Sequence, residues 1–518
     1  MKKNAIIMGT LILTITGLIT RFIGFFYRIF LSHAIGAEGM GIYQLIFPVY
    51  GICMAICCGP VQTSISRYVA ACQSRRDYRQ SHYYLSAGLI FSVSLSIICG
   101  LFMFEAAPAV AELFLLEKRC EMPLRVLALS MPMNALHSCI CGYYLGQKKT
   151  GVSAASQLIE QLVRVAVVWA IVWQQAKRGE AVTVTMAVCG LVAGEAASML
   201  VTCIAGWRTL CRERKMEEEE DLSKESSLLT LPKAMKNLIS MSVPLTGNRL
   251  FLNILQSLEA VMIPSRLRLF GLTAENALSV YGIFNGMALP FILFPSALTG
   301  SISVMLLPDV AASQSQENYQ KISRTAALAV GFSLYVSILF TGIFFFYGEE
   351  LGNMVFGEPT AGAYIVILSW LCPFLYLTSM MGSILNGLGL TKITFIHNTA
   401  GLLIRLLFVI FLIPRFGFVS YLWGTLLSQL VTALLHLYEL RKRVKFPFDA
   451  FYELVRPILA FGGAHVLAVW TREKFFTQAP ALFGLITAIG VSGVLYLLFL
   501  WLTRSGDARK MKRKKAAG

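Results

Sequence analysis

The sequence predicts an all-α, polytopic membrane protein of fourteen transmembrane helices: two six-helix lobes related by pseudo-two-fold symmetry, plus two C-terminal helices. Composition is the first of three observations behind this. Of 518 residues, 56% are hydrophobic and 14% charged, with a mean hydropathy of +0.66, which leaves too few charges to cover a soluble protein of this length. The second is an internal duplication. Pro132, Gly146, Thr150, Leu162 and Arg164 recur at a single offset of 241 as Pro373, Gly387, Thr391, Leu403 and Arg405. From Gly194 the offset falls to 230, pairing Gly194, Ser198, Leu200, Val201 and Thr202 with Gly424, Ser428, Leu430, Val431 and Thr432, as a shortened loop would produce. The third is charge placement: loops assigned to the inside hold about 28 Lys and Arg and outer loops about 9. The formal charge of +17 therefore reports topology rather than a nucleic-acid partner, and an even helix count with basic ends puts both termini in the cytoplasm.

A spanning helix needs roughly 20 apolar residues. The segments that supply them are 5–31, 40–69, 83–104, 122–146, 154–176, 182–206, 237–265, 276–306, 326–347, 362–386, 394–414, 419–439, 451–470 and 482–503. The first resembles a signal peptide but lacks a small-residue cleavage site and stays apolar through Arg21, so it is read as an uncleaved helix. It carries Gly17, Arg21, Gly24 and Arg28 on one face, with the two arginines about 10.5 Å apart along the axis. Arg67 in the second segment is an interfacial anchor. In the fifth, Glu160 precedes Arg164 by one turn, the spacing of a helical ion pair; the sixth holds Glu195. The polar insert 208–236, with its run CRERKMEEEEDLSKESS, reads as a cytoplasmic linker.

The seventh segment repeats the stripe of the first with Arg249, Asn253 and Gln256, followed by Glu259. Pro48, Pro60, Pro244, Pro290 and Pro295 are expected to break long helices. In the eleventh segment Arg405 has Gly401 where Arg164 has Glu160, which makes it the better cavity candidate of the two; His397 and Asn398 before it read as packing residues. Segments thirteen and fourteen have no counterpart in the duplication. The domains are thus 1–207 (helices 1–6), 208–236 (linker), 237–440 (helices 7–12) and 441–518 (helices 13–14 and a basic tail). The twelve cysteines show no zinc-ligand or disulfide spacing and read as small packing residues. No Walker A pattern occurs, which excludes direct ATP drive.

An arginine at bilayer depth costs at least ~2.5 kcal/mol, so it faces a partner or a wet cavity. One reading is that the two stripes line a central cavity and bind an anion through Arg21, Arg28, Arg249 and Arg405, with Asn253 and Gln256 beside them. The other is that they brace helices, with Arg28 snorkelling to the interface. Glu160, Glu195 and Glu259 are candidates for ion pairs or for coupling transport to protons or sodium. No metal site and no cofactor is expected.

The run TRFIGFFYRIFLSHAIGAEGMGIYQLIFPVYG, followed by SISRYVA, resembles the opening of the stage V sporulation protein B group. That group belongs to the multidrug/oligosaccharidyl-lipid/polysaccharide (MOP) superfamily and is related to the MurJ-type lipid II flippases. The residues that carry the resemblance include Arg21, Gly24, Phe25, Tyr27, Arg28, Gly36, Glu38, Gly39, Tyr43, Gln44 and Pro48. It implies a V-shaped, fourteen-helix transporter that flips an undecaprenyl-pyrophosphate-linked sugar toward the outer leaflet, for spore-cortex peptidoglycan. The flippases' helix-one arginines match Arg21 and, one residue out of register, Arg28. Their helix-eight arginine falls on Asn285, and their helix-two acid has no match, with Glu38 in the preceding loop as a substitute. Their two extra helices form a groove for the lipid tail, a role open to segments thirteen and fourteen.

The expected function is therefore an alternating-access flippase, not an enzyme, in the bacterial plasma membrane. Its partners would be a lipid-linked oligosaccharide and cell-wall synthesis enzymes, and it would act as a monomer. Membrane potential, protons or sodium would drive it. A cation or multidrug exporter would show acids and aromatic faces in the cavity instead. A membrane-embedded polymerase or glycosyltransferase would show paired catalytic carboxylates at the membrane face and a sizeable outer loop, and the acids in 105–121 and 348–361 show no such arrangement. A scaffold would leave the deep arginines without a purpose.

Overall fold

Long apolar runs cannot leave backbone amides and carbonyls unpaired in a bilayer, and helices pair them within the segment. Every regular element among the described residues is helical. The structure, a computed structural model, describes residues 2–74, 77–220, 230–476 and 480–516, and their side chains except those of 2–11, 74, 78, 214–220 and 504–516. The chain divides into two compact units, 1–282 and 283–518.

The first unit contains α1 (Lys2–Leu45), α2 (Phe47–Cys57), α3 (Gly59–Ser74), α4 (Tyr78–Ala109), α5 (Glu121–Ala128), α6 (Ser130–Gly146), α7 (Gly151–Arg178), α8 (Val184–Glu220), α9 (Leu231–Leu269) and α10 (Ala274–Gly282). The second contains α11 (Leu289–Leu293), α12 (Ser296–Ser315), α13 (Tyr319–Leu351), α14 (Pro359–Leu368), α15 (Leu371–Gly387), α16 (Thr391–Leu407), α17 (Ile413–Phe416), α18 (Phe418–Arg443), α19 (Arg456–Phe475) and α20 (Ala481–Ala516).

Among the described residues, eleven helices are long and apolar enough to cross a membrane, or up to thirteen with two bent pairs taken as single spans. This is consistent with fourteen expected segments for three reasons. The first two run together over 12–73, the eighth is split into 274–293 and 296–315, and the seventh, α9, is too polar to pass the same test. The join of the first two is a kink at Gly36, where φ is 70°, a conformation that suits a residue without a Cβ. Helix breaks fall next to Pro48, Pro60, Pro290 and Pro295, as expected. Pro244 is a correction: α9 runs through both Pro244 and Pro264 without a break, as membrane helices do when neighbours compensate the lost bond.

The duplication is visible element by element. Asp77 caps α4 by accepting from the Gln80 amide at 3.0 Å, and Asn318, 241 residues on, caps α13 by accepting from the Lys321 amide at 3.0 Å. Both helices end in a π turn, Val110–Phe114 and Gly352–Phe356. The segment ending at Ala128 meets α6 at 43° and α14 meets α15 at 53°, with Pro132 and Pro373 at the third position of the second helix in each case. A Cβ on Gly146 would lie 2.8 Å from the Ser66 carbonyl oxygen, and one on Gly387 would lie 2.8 Å from that of Leu307, so α6 presses on α3 as α15 presses on α12.

The packing boundary differs from the duplication boundary. Helix α9, which opens the expected 237–440 lobe, packs with α2, α3 and α4, and α10 packs with α1. Two close approaches hold the latter pair: a Cβ on Gly41 would lie 2.1 Å from the Leu278 carbonyl oxygen, and one on Gly282 would lie 2.1 Å from that of Ala37. The expected 208–236 linker also shrinks. Helix α8 reaches Glu220 and α9 starts at Leu231, because the Arg, Glu, Lys and Met residues there favour helix; residues 221–229 lie outside those described. The appended α19 and α20 pack on each other and on α13, where the Tyr496 hydroxyl donates to the Tyr335 carbonyl at 2.9 Å. Among the described residues no disulfide joins the cysteines; Cys57, Cys58, Cys139, Cys141 and Cys372 are buried in helix contacts, while Cys189 is exposed.

Gly387→Ala is expected to cost about 1–3 kcal/mol by overpacking and to lower the melting temperature in detergent. Gly17→Ala, where a Cβ would meet nothing within 4 Å, is expected to leave it unchanged or slightly raised. Equal effects would show that the glycine contact does not set the α12–α15 distance.

Candidate functional site

Helix α9 brings its polar stripe against the first half of the chain. The Asn253 amide donates from Nδ2 to the Gly51 carbonyl at 2.9 Å, and the Ser257 hydroxyl donates to the Pro48 carbonyl at 3.1 Å. Toward the other end of α9, the hydroxyls of Ser64 and Ser242 are bonded at 2.9 Å, and Tyr68 donates to the Asn237 carbonyl at 3.2 Å. Between these two sets of contacts lies a cavity of about 380 Å³, lined by Arg249, Asn253 and Gln256 of α9, Asn134 and Ser138 of α6, and Gly51 and Gly59 of the α2–α3 stretch, among others. Arg249 is exposed to it. Its Nη1 lies only 2.0 Å from where a Cβ on Gly59 would be, so the glycine makes room for the guanidinium.

A chain of polar groups leads away from the cavity. The Ser138 hydroxyl donates to Asn134 Oδ1 at 3.0 Å, and Asn134 Nδ2 donates to Glu195 Oε1 at 3.0 Å. Glu195 is 6% exposed, and its Oε2 has no hydrogen-bond partner among the described residues. Glu160 lies within electrostatic range of Glu195 and accepts a hydrogen bond from Arg164 Nη2. Arg164 in turn lies within range of Arg28 and Tyr43. Helices α7 and α8 meet closely enough for this because of glycine: a Cβ on Gly194 would stand 2.7 Å from the Glu160 carbonyl oxygen.

The expected residues therefore separate into groups. Arg249, Asn253 and Gln256 line one cavity, as the stripe on α9 predicts. Glu160 and Arg164 form the expected i, i+4 pair, largely shielded, with side chains 16% and 15% exposed. Arg21 and Arg28 are exposed, and neither lines this cavity. Arg21 sits between Gly17 and Gly24, where an added Cβ would meet nothing within 4 Å, so its face of α1 is open. Glu259 is buried in α9. Arg405 and Asn285 belong to the second unit; both are half-buried, Asn285 in a π turn at Ile283–Ala288. Near Arg405, Gly401 packs against Ser428 and Thr432, and the rings of His397 and His436 are 5.0 Å apart. Glu38, from the α1 kink region, pairs with Arg119 at 2.7 Å.

Sequence reasoning missed Asn134 and Ser138. The signal was present: at the 241 offset Asn134 corresponds to Leu375 of the second copy, and an amide where the duplicate has leucine is a polar position that the two halves do not share.

The family model described as "Polysaccharide biosynthesis protein" matches residues 6–310 and 308–503. The chain is 26% identical over 518 residues to stage V sporulation protein B of Bacillus subtilis (strain 168), covering 99% of this chain and 98% of the relative. It is 22% identical to the lipid II flippase MurJ of the same organism, covering 96% and 95%. Among solved structures, a lipid II flippase MurJ in an inward closed conformation superposes with a TM-score of 0.70 at 12% identity, covering 96% of this chain and 99% of that one. An inward-facing multidrug resistance MATE family transporter of the MOP superfamily gives 0.59 at 15%, covering 82% and 94%. The fold is that of these transporters.

Removing one partner of the Glu160–Arg164 pair is expected to destabilise the protein by ~3 kcal/mol, as for other shielded pairs left half-charged. Thermal unfolding of Glu160→Gln, Arg164→Gln and the double variant measures this. The double variant is expected to be more stable than either single one; additive losses would mean that the two groups do not act as a pair.

Proposed function

The chain belongs to the polysaccharide biosynthesis protein family, and from that premise we propose that it is an alternating-access flippase for an undecaprenyl-pyrophosphate-linked sugar precursor. The observation that carries this reading is the cavity at α9, where among the described residues Arg249 is the one charged side chain of the lining, beside the amides of Asn134, Asn253 and Gln256, the Ser138 hydroxyl and the apolar Met54, Ala55 and Leu252. A guanidinium offers two parallel donors to phosphate oxygens, and Asn253, Gln256, Asn134 and Ser138 suit sugar hydroxyls. At about 380 Å³ the space is in the range of small-molecule sites, roughly 300–1,000 Å³, enough for a headgroup while the prenyl tail stays in lipid. A diphosphate cannot cross hydrocarbon without fixed cations, and α1 offers two more in Arg21 and Arg28.

The names of the similar proteins support a lipid-linked substrate: one is a lipid II flippase and another a sporulation protein. On this reading the precursor is lipid II-like and serves spore-cortex peptidoglycan. The protein acts as a monomer in the plasma membrane with both termini in the cytoplasm, next to cell-wall synthesis enzymes. The membrane potential, worth about 2.3 kcal/mol per charge per 100 mV, favours outward movement of the anion. A cation exporter fits less well, because among the described residues the cavity lining holds a positive charge and no carboxylate.

Leaflet exchange of fluorescent lipid II in proteoliposomes tests the reading. Arg249→Ala removes a charge-assisted contact of about 1.5–3 kcal/mol and is expected to slow exchange roughly ten- to hundredfold; Arg21→Ala is expected to slow it as well. Exchange at the wild-type rate in both variants would remove the site assignment, and absence of exchange in the wild type would remove the function. An imposed potential, negative inside, is expected to accelerate export.

A further inference from the structure

The polar chain behind the cavity contains a group that anion binding does not use. Glu195 is 6% exposed, deep in α8, and only one of its two carboxyl oxygens has a hydrogen bond, the 3.0 Å contact from Asn134 Nδ2. The other, Oε2, is closed off from solvent and has no hydrogen-bond partner among the described residues. A buried carboxyl oxygen without a donor is costly as a carboxylate and is relieved by taking up a proton, and membrane carboxyls of this kind mark proton relays.

The groups that face Glu195 come from four neighbouring stretches. Helix α7 presents Glu160, whose charge repels that of Glu195, and Arg164, whose charge attracts it. Arg164 is already hydrogen-bonded to Glu160. Helix α6 presents Asn134. Helix α2 presents the Tyr50 hydroxyl, which is bonded to Ser130 at 3.2 Å. The residue joining α2 to α3 is Cys58, also within electrostatic range and also in the cavity lining. Two carboxyls thus share one committed guanidinium, an arrangement with room for a single proton.

We propose that Glu195 is a proton-binding site tied to the cavity through Asn134, so that protonation of Glu195 and occupation of the cavity by an anion favour each other. The proton enters from cavity water while the contacts between α6 and α8 are open and settles on Oε2, and Oε1 accepts from Asn134 once they close. Because Oε2 has no water access in this arrangement, the proton is held until the contacts between α6 and α8 open. The coupling has two components. Neutralising Glu195 removes a negative charge one residue behind the cavity wall, which leaves Arg249 less opposed. It also loosens the hold on Asn134, whose amide then turns to a ligand more easily. By reciprocity, an anion in the cavity strengthens proton binding by the same factor. This rests on the flippase reading for the identity of the anion, but the proton site itself does not.

Two measurements test it on the full-length protein. Infrared difference spectra taken as pH falls are expected to show the carbonyl stretch of a protonated carboxylic acid in the wild type and to lose it in Glu195→Gln. Lipid II binding in detergent is expected to tighten roughly tenfold from pH 8 to pH 5 in the wild type, within the usual range of coupling between sites, and to be flat in Glu195→Gln. Should that variant not fold, Asn134→Ala keeps the carboxyl and is expected to keep the infrared band while losing most of the pH dependence of binding. An infrared band unchanged in Glu195→Gln overturns the proton site, and a full tenfold pH dependence in Asn134→Ala overturns the link. Tight but pH-independent lipid II binding by the wild type overturns the proposal and leaves the flippase reading standing. No binding at any pH, with the band still titrating, overturns the flippase reading and the coupling to that anion.

Discussion

A charged side chain inside a membrane-spanning fold needs an opposite charge, a hydrogen-bonding neighbour or water, since bare exposure to lipid costs an arginine at least ~2.5 kcal/mol. The first unit supplies all three within a few helices. Arg164 has Glu160 one turn away, Glu195 has Asn134 across the α6–α8 contact, and Arg249 has a cavity. The Glu160–Arg164 pair is local to α7, whereas the approach of α8 to that pair and the room for Arg249 depend on glycine. Gly194 brings α8 to the backbone of Glu160, while Gly59 leaves the volume that the Arg249 guanidinium fills. Small residues at helix crossings are the usual means of tight packing in a bilayer, where no hydrophobic force drives helices together.

The two copies of the duplicated segment retain the same mechanics and differ in chemistry. Helix caps, π turns, mid-helix bends and the Gly146 and Gly387 contacts recur at matching positions. The polar positions do not: Glu160 corresponds to Gly401, and Asn134 to Leu375. The first copy therefore holds an acid–amide–arginine network, whereas the region of Arg405 in the second is packed with small residues and two histidine rings. What the copies share is scaffold; what distinguishes the first is the chemistry around its cavity.

Most of the fold was legible because hydropathy reports helices directly when the solvent is lipid. The stripe Arg249, Asn253 and Gln256 and the pair Glu160 and Arg164 were legible too, since both are local spacings on one helix. Less accessible were contacts set by tertiary packing. Nothing in the order of residues says that α9, the first helix of the second copy, packs on the first, or that Asn134 meets Glu195 sixty-one positions away. The limits of the polar insert were misjudged for another reason. Charge suggested a linker, but the same Arg, Glu and Lys residues are good helix formers, so α8 extends to Glu220. Pro244 misled likewise, because a proline lowers helix stability without always ending the helix.

Substrate recognition in this account comes down to a single cation among neutral donors and acceptors. A drug-binding cavity of the same fold would be expected to carry the opposite polarity, so the proposed recognition rests on the Arg249 side chain. Equilibrium binding of lipid II to the purified protein, with undecaprenyl pyrophosphate as competitor, is the most direct measurement. Saturable binding is expected, displaced by the sugar-free diphosphate and weakened at least roughly tenfold in Arg249→Ala, the loss of one charge-assisted contact. Equal affinity in the wild type and Arg249→Ala, or no displacement by the diphosphate, would contradict it.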